Sequence, residues 1–108
     1  MRVLAIGDVT AGGLAYLKSR LPRLKREREI DFCVVNGENA SLVGMTPQQA
    51  EDILNAGADV ITMGNHTWNR RELIPYIEDS RIFPIRSYAS LICFNFSLAA
   101  SCARGSPA

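Results

Sequence analysis

Histidine occurs once in this 108-residue chain, at position 66, and tryptophan once, at position 68. Cysteine occurs three times, at Cys33, Cys93 and Cys102. An odd count without metal-type spacing excludes a disulfide framework as the organising device. Cys33 sits inside an apolar run and reads as a small core residue. A long hydrophobic run is also missing. Met1-Arg2 is followed by four apolar residues before Gly7-Asp8, too few for a secretory leader. No stretch approaches the roughly 20 apolar residues of a membrane span. A cytoplasmic protein is the resulting expectation. Excess charge of one sign is absent as well. The net charge is +1, so no global field points to nucleic acid or to an anionic membrane. The basic cluster from Lys18 to Arg28 is interrupted by Leu21, Pro22, Leu24 and Glu27, and reads as a solvated helix face.

What is present is ordinary for one small globular domain: 47% apolar and 21% charged residues. Val3-Leu4-Ala5-Ile6 is a short apolar run ending in Gly7-Asp8, as in a buried parallel strand. Val9 to Gly13 reads as a turn with two glycines. Leu14, Leu17, Leu21 and Leu24 then recur at spacings of three and four, which predicts a helix over 14–28. Pro22 is expected to break it into two pieces. Phe32-Cys33-Val34-Val35 is a second buried strand, ending in Asn36-Gly37-Glu38-Asn39. Thr46, Pro47 and Gln49 have the order of an N-cap, a first helical residue and a capping box, and Ala56-Gly57 closes that helix. Val60-Ile61-Thr62-Met63 is a third strand, ending in Gly64-Asn65-His66. Asn69 with Glu72 is expected to cap a third helix running to about Glu78.

Alternating strands and helices predict an α/β fold with a parallel sheet and flanking helices. Right-handed crossovers place the three strand ends on one edge, where open α/β sheets build their sites. Past Arg86 the composition breaks: Ser87 to Ala108 holds one charged residue, Arg104, and the apolar run Leu91-Ile92-Cys93-Phe94. Residues 1–86 are therefore read as one unit and 87–108 as an atypical tail. That tail fits either a strand with a disordered end or a non-native end such as a frameshift product.

The three strand ends deliver Asp8, then Glu38 and Asn39, then Asn65 and His66. Carboxylate, amide oxygen and imidazole suit Mn, Fe or Zn better than a soft thiolate site does. A carboxylate such as Glu38 can bridge two metals. Asp, Asn and Gly are also common turn formers after strands, and the pattern alone leaves both readings open. A lone histidine is more often structural than catalytic; the place of His66 directly after Gly64-Asn65 keeps a catalytic role open.

The segments Gly7-Asp8-Val9, Asn36-Gly37-Glu38-Asn39 and Gly64-Asn65-His66 resemble the calcineurin-like metallophosphoesterases. Within these they resemble most the bacterial 2′,3′-cyclic-nucleotide phosphodiesterase family, in Asp8-Val9-Thr10 and in the run Val60 to Trp68. The similarity covers roughly residues 1–86. It implies the N-terminal part of a metallophosphoesterase α/β sandwich and a metal-dependent phosphodiesterase acting on a small phosphodiester such as a cyclic nucleotide. It also implies two divalent metal ions, Fe or Mn, with Zn as an alternative. Asp8 and Asn39 would bind the first metal, Glu38 would bridge, Asn65 would bind the second, and His66 would protonate the leaving oxygen. Gly37 and Gly64 would let the backbone turn closely around the metals. The resemblance also implies further histidine ligands in the second half of a longer chain, and no histidine follows His66 here. The expectation is a polypeptide with little activity alone, whose uncovered apolar face favours self-association. The alternatives are a non-catalytic fragment and a nucleotide-binding module. For the latter, Gly12-Gly13 is not G-x-G-x-x-G and no P-loop lysine follows.

Overall fold

The computed structural model of the chain describes residues 1–84; the proposed tail over 87–108 lies outside the described residues. Four strands form one parallel sheet in the order β1-β2-β3-β4: Val3–Ile6, Phe32–Asn36, Val60–Thr62 and Ile82–Phe83. Helix α1 covers Ala11–Glu27 and helix α2 covers Pro47–Ala56, with a 3₁₀ helix at Arg71–Tyr76. Sequential strands that are also spatial neighbours, joined by right-handed crossovers, bring all connecting helices to one face of the sheet. The packing agrees, since α1 touches α2 and α2 touches the 3₁₀ helix.

The core lies between that helical layer and the sheet. Val35 and Ile61 are neighbours in register and fully buried, with Cys33 on the same face, and Ile53 and Leu21 pack down onto them from the helices. Burial pushes the Cys33 thiol up from its ordinary range, and nearby Lys25 only partly offsets this. The opposite face carries Val3, Ala5, Phe32, Val34, Val60 and Phe83, each exposed or half-buried. The connecting helices among the described residues lie on the other side of the sheet.

Three expectations are corrected. Helix α1 begins at Ala11 rather than Leu14, because the Thr10 hydroxyl accepts the Gly13 N–H at 3.4 Å and caps it. The Gly12-Gly13 pair is thus the first turn of a helix, not a loop. Pro22 does not break α1. A proline interrupts a helix by removing one donor and crowding the carbonyl four residues back. Here Leu17 and Leu21, just ahead of the proline, are buried against the core, and the half-buried Leu24 follows it on the same stripe. The third helix is a short 3₁₀ segment entered through Arg70 with no side-chain cap, and Pro75 inside it has no N–H to continue an α-helical ladder.

The predicted α2 termini hold in full. Thr46 accepts the Gln49 N–H at 3.3 Å, the Gln49 side chain accepts the Thr46 N–H at 2.9 Å, and Gly57 follows at φ +130°. Three of the six basic residues from Lys18 to Arg28 are paired with carboxylates: Lys18 with Asp52 at 3.5 Å, Arg23 with Glu27 at 2.7 Å, Lys25 with Asp59 at 3.5 Å. Just ahead of β4, a hydrogen bond from the Arg81 guanidinium holds the Asp79 carboxyl down to about 2. No helix among the described residues is long and apolar enough to cross a membrane.

Candidate metal centre

Each strand ends in a main-chain bond that fixes where the next residues point. After β1, Asp8 adopts φ +41°, a left-handed conformation uncommon for a residue with a side chain. The turn it makes sends the Val9 N–H to the Asn36 carbonyl at 3.0 Å and buries the Val9 side chain, leaving the Asp8 carboxylate exposed at the sheet edge. The Gly37 N–H donates to Thr62 at 3.0 Å and the Met63 N–H to Phe83 at 3.0 Å, so β2 and β3 are pinned in the same way. Parallel strands that end together thus present Asp8, Glu38-Asn39 and Asn65-His66 along one edge.

The structure joins these residues in two places. Asn39 Nδ2 donates to Asp8 Oδ1 at 2.5 Å, tying the end of β1 to the end of β2. This orientation leaves Asn39 Oδ1 as the free acceptor of that amide. The Glu38 carboxylate lies against Gly64, in space that any side chain at position 64 would fill. Glu38 Oε2 is buried there without a hydrogen-bond partner. The Glu38 N–H itself is held by Asn36 Oδ1 at 3.4 Å. Asn65 is exposed and His66 half-buried. The His66 carbonyl accepts the Asn69 N–H at 3.1 Å, while no hydrogen bond among the described residues links the Asn65 or His66 side chain to Asp8, Glu38 or Asn39.

A buried carboxylate oxygen without a donor is rare, since the group loses its water and gains nothing in return. A cation would satisfy such an oxygen, and the carboxylates of Asp8 and Glu38 and the Asn39 amide oxygen are hard donors of the kind a divalent ion takes. No trio of His, Cys, Asp or Glu side chains gathers among the described residues, so Asp8, Glu38 and His66 are not drawn together into one cluster.

One assignment changes. Gly37 is buried and faces the core: a Cβ there would stand 2.9 Å from Met45 Sδ and 3.1 Å from Ile61 Cγ2. Its missing side chain makes room for packing, not for metal. Beside Asp8, between β1 and α1, a mainly apolar cavity of about 270 Å³ is lined by Ile6, Val9, Tyr16, Leu17 and Arg20. The Arg20 guanidinium lies 5.2 Å from the centre of the Tyr16 ring.

Comparison with known proteins gives a consistent picture. The chain is 42% identical over 81 residues to the 2′,3′-cyclic-nucleotide 2′-phosphodiesterase of Bacillus subtilis, covering 73% of this chain and 31% of that protein. A solved structure of a hypothetical protein from Thermus thermophilus superposes with a TM-score of 0.71 at 32% identity, over 78% of this chain and 33% of the other. A solved phosphatase from Mycoplasma pneumoniae superposes with a TM-score of 0.69 at 29% identity, over 76% of this chain and 30% of the other. The chain therefore spans about a third of the length of the relatives it matches. The family described as YmdB-like protein matches residues 4–88, and the chain belongs to that family.

Proposed function

We propose that these residues form one wall of a two-metal phosphodiesterase centre acting on a small phosphodiester of the cyclic-nucleotide class. The partnerless Glu38 Oε2 carries this reading. The Bacillus relative, named for hydrolysis of 2′,3′-cyclic nucleotides, supports the substrate class. Asp8 and Asn39 would hold one divalent ion and Asn65 the other, with Glu38 as the carboxylate that would be shared between them; Fe or Mn would suit this donor set, and Zn is the alternative. Divalent ions bound there supply Lewis-acid charge that polarises the phosphoryl group. His66 holds the proton that the departing ribose oxygen needs, since an unprotonated alkoxide leaves poorly. The cavity beside Asp8 offers an apolar wall to the organic part of the substrate.

Each ion of this kind takes about four to six donors, more for two ions than these four side chains provide. The 108-residue polypeptide alone is therefore expected to bind metal weakly and to turn over substrate slowly.

The test is titration of the purified chain with Mn²⁺, followed by electron paramagnetic resonance, alongside a 2′,3′-cyclic AMP hydrolysis assay. Weak binding that Glu38→Gln removes supports the reading. No binding, or binding indifferent to Glu38→Gln, overturns the metal centre. Fast metal-dependent turnover that His66→Ala abolishes overturns the expectation of weak activity and keeps the role of His66.

A further inference from the structure

Two loops carry the proposed ligands, and one side chain outside the ligand set holds them together. Residues 37–46 join β2 to α2 and bear Glu38 and Asn39. Residues 63–70 follow β3 and bear Asn65 and His66. Arg70 belongs to the second loop by its backbone and reaches into the first with its side chain. Its Nη2 donates to the Ser41 carbonyl at 2.9 Å and its Nε to the Val43 carbonyl at 3.3 Å.

The turn it grips is itself tied to a ligand. The Gly44 N–H donates to the Glu38 carbonyl at 2.5 Å, and the Ser41 N–H donates to the Gly44 carbonyl at 3.0 Å. Gly44 stands at φ +82°, and its bare Cα leaves room for the incoming loop. A Cβ there would lie 2.8 Å from Arg70 Cγ, 3.2 Å from the His66 carbonyl oxygen and 3.3 Å from the Arg70 nitrogen. The first loop is thus closed against the main chain of His66 itself.

We infer that Arg70 is a positioning residue that sets the spacing between the Glu38–Asn39 half and the Asn65–His66 half of the centre. The inference rests on the metal-centre reading above. A guanidinium suits the task because its planar fork serves two carbonyls at once, whereas a lysine ammonium serves one point. Groups that orient ligands in this way commonly weaken metal binding when removed.

The experiment compares Mn²⁺ affinity by electron paramagnetic resonance for the unaltered chain, Arg70→Ala, Arg70→Lys and Glu38→Gln, with thermal unfolding of each. The expected result is an affinity about tenfold lower for Arg70→Ala, an intermediate value for Arg70→Lys, and native circular dichroism at the assay temperature. A merely structural role lowers the unfolding midpoint and leaves the affinity of the folded protein unchanged, which overturns the inference. If Arg70→Ala does not fold, Arg70→Lys decides: reduced affinity supports the inference and unchanged affinity overturns it. Binding that Glu38→Gln removes but both Arg70 variants keep defeats the positioning role alone. No binding by the unaltered chain defeats the metal-centre reading, and the positioning role with it.

Discussion

At positions 37 and 64 a single methyl group has opposite expected consequences, although both glycines follow strands and share a motif-like setting. Neither stands in the left-handed region, so alanine is conformationally acceptable at each. At Gly64 the atoms in the way are the Glu38 carboxylate, the far end of a flexible side chain that can swing aside. Gly64→Ala is expected to leave stability unchanged or raise it by up to about 1 kcal/mol through the lower entropy of the unfolded chain. Its Mn²⁺ affinity should fall, because the carboxylate no longer rests where it was cradled. At Gly37 the obstacles are Met45 and Ile61 in the core. Gly37→Ala is expected to cost about 1–3 kcal/mol by overpacking. Urea denaturation and Mn²⁺ titration of the two variants check the pair; a large stability loss at Gly64 would mean that Glu38 cannot move.

Among the elements, α1 carries the clearest internal conflict. Its buried Leu17 and Leu21 lead directly into Pro22, which has no N–H to give the Lys18 carbonyl, and the helix continues to Glu27. Pro22→Ala should therefore stabilise the chain by about 1–3 kcal/mol, somewhat less than the full helix penalty of proline because the unfolded chain gains freedom. Thermal unfolding measures it, and an unchanged midpoint would show that the helix has already relaxed around the ring. The same helix shows what the sequence could and could not reveal. β1, β2, β3 and α2 were legible because runs such as Phe32–Val35 and the Thr46-Pro47-Gln49 cap are local signals. The start of α1 was not, because a glycine pair reads as a turn until the Thr10 hydroxyl is seen to cap it. β4 was hidden because Ile82-Phe83 is too short to form a pattern and exists by pairing with Ile61-Thr62. The position of Asp8, Glu38, Asn39, Asn65 and His66 just past the strand ends was legible from the apolar runs before them. Arg70 and Gly44 were not, since their partners are main-chain carbonyls and close approaches that only the folded loops create.

At the scale of the whole molecule, the decisive feature is that the helices among the described residues lie on one side of the sheet. Val34 occupies the middle strand, pairs with Ala5 and Val60, and is only half-buried, whereas Val35 next to it is fully buried against the helices. A parallel sheet is normally covered on both faces, and an apolar face left open favours association. The described residues therefore predict a chain that self-associates as its concentration rises, through the face centred on Val34. Multi-angle light scattering over a concentration series should show mass above the monomer. Val34→Lys should return it toward the monomer, because a charge at the centre of that face stays in water only while the face is open. Its fold should persist, since the side chain points away from the core formed by Val35 and Ile61. Association undiminished by Val34→Lys would assign the contact to another surface. A monomer at every concentration, in the unaltered chain, would mean that this face is not available for pairing.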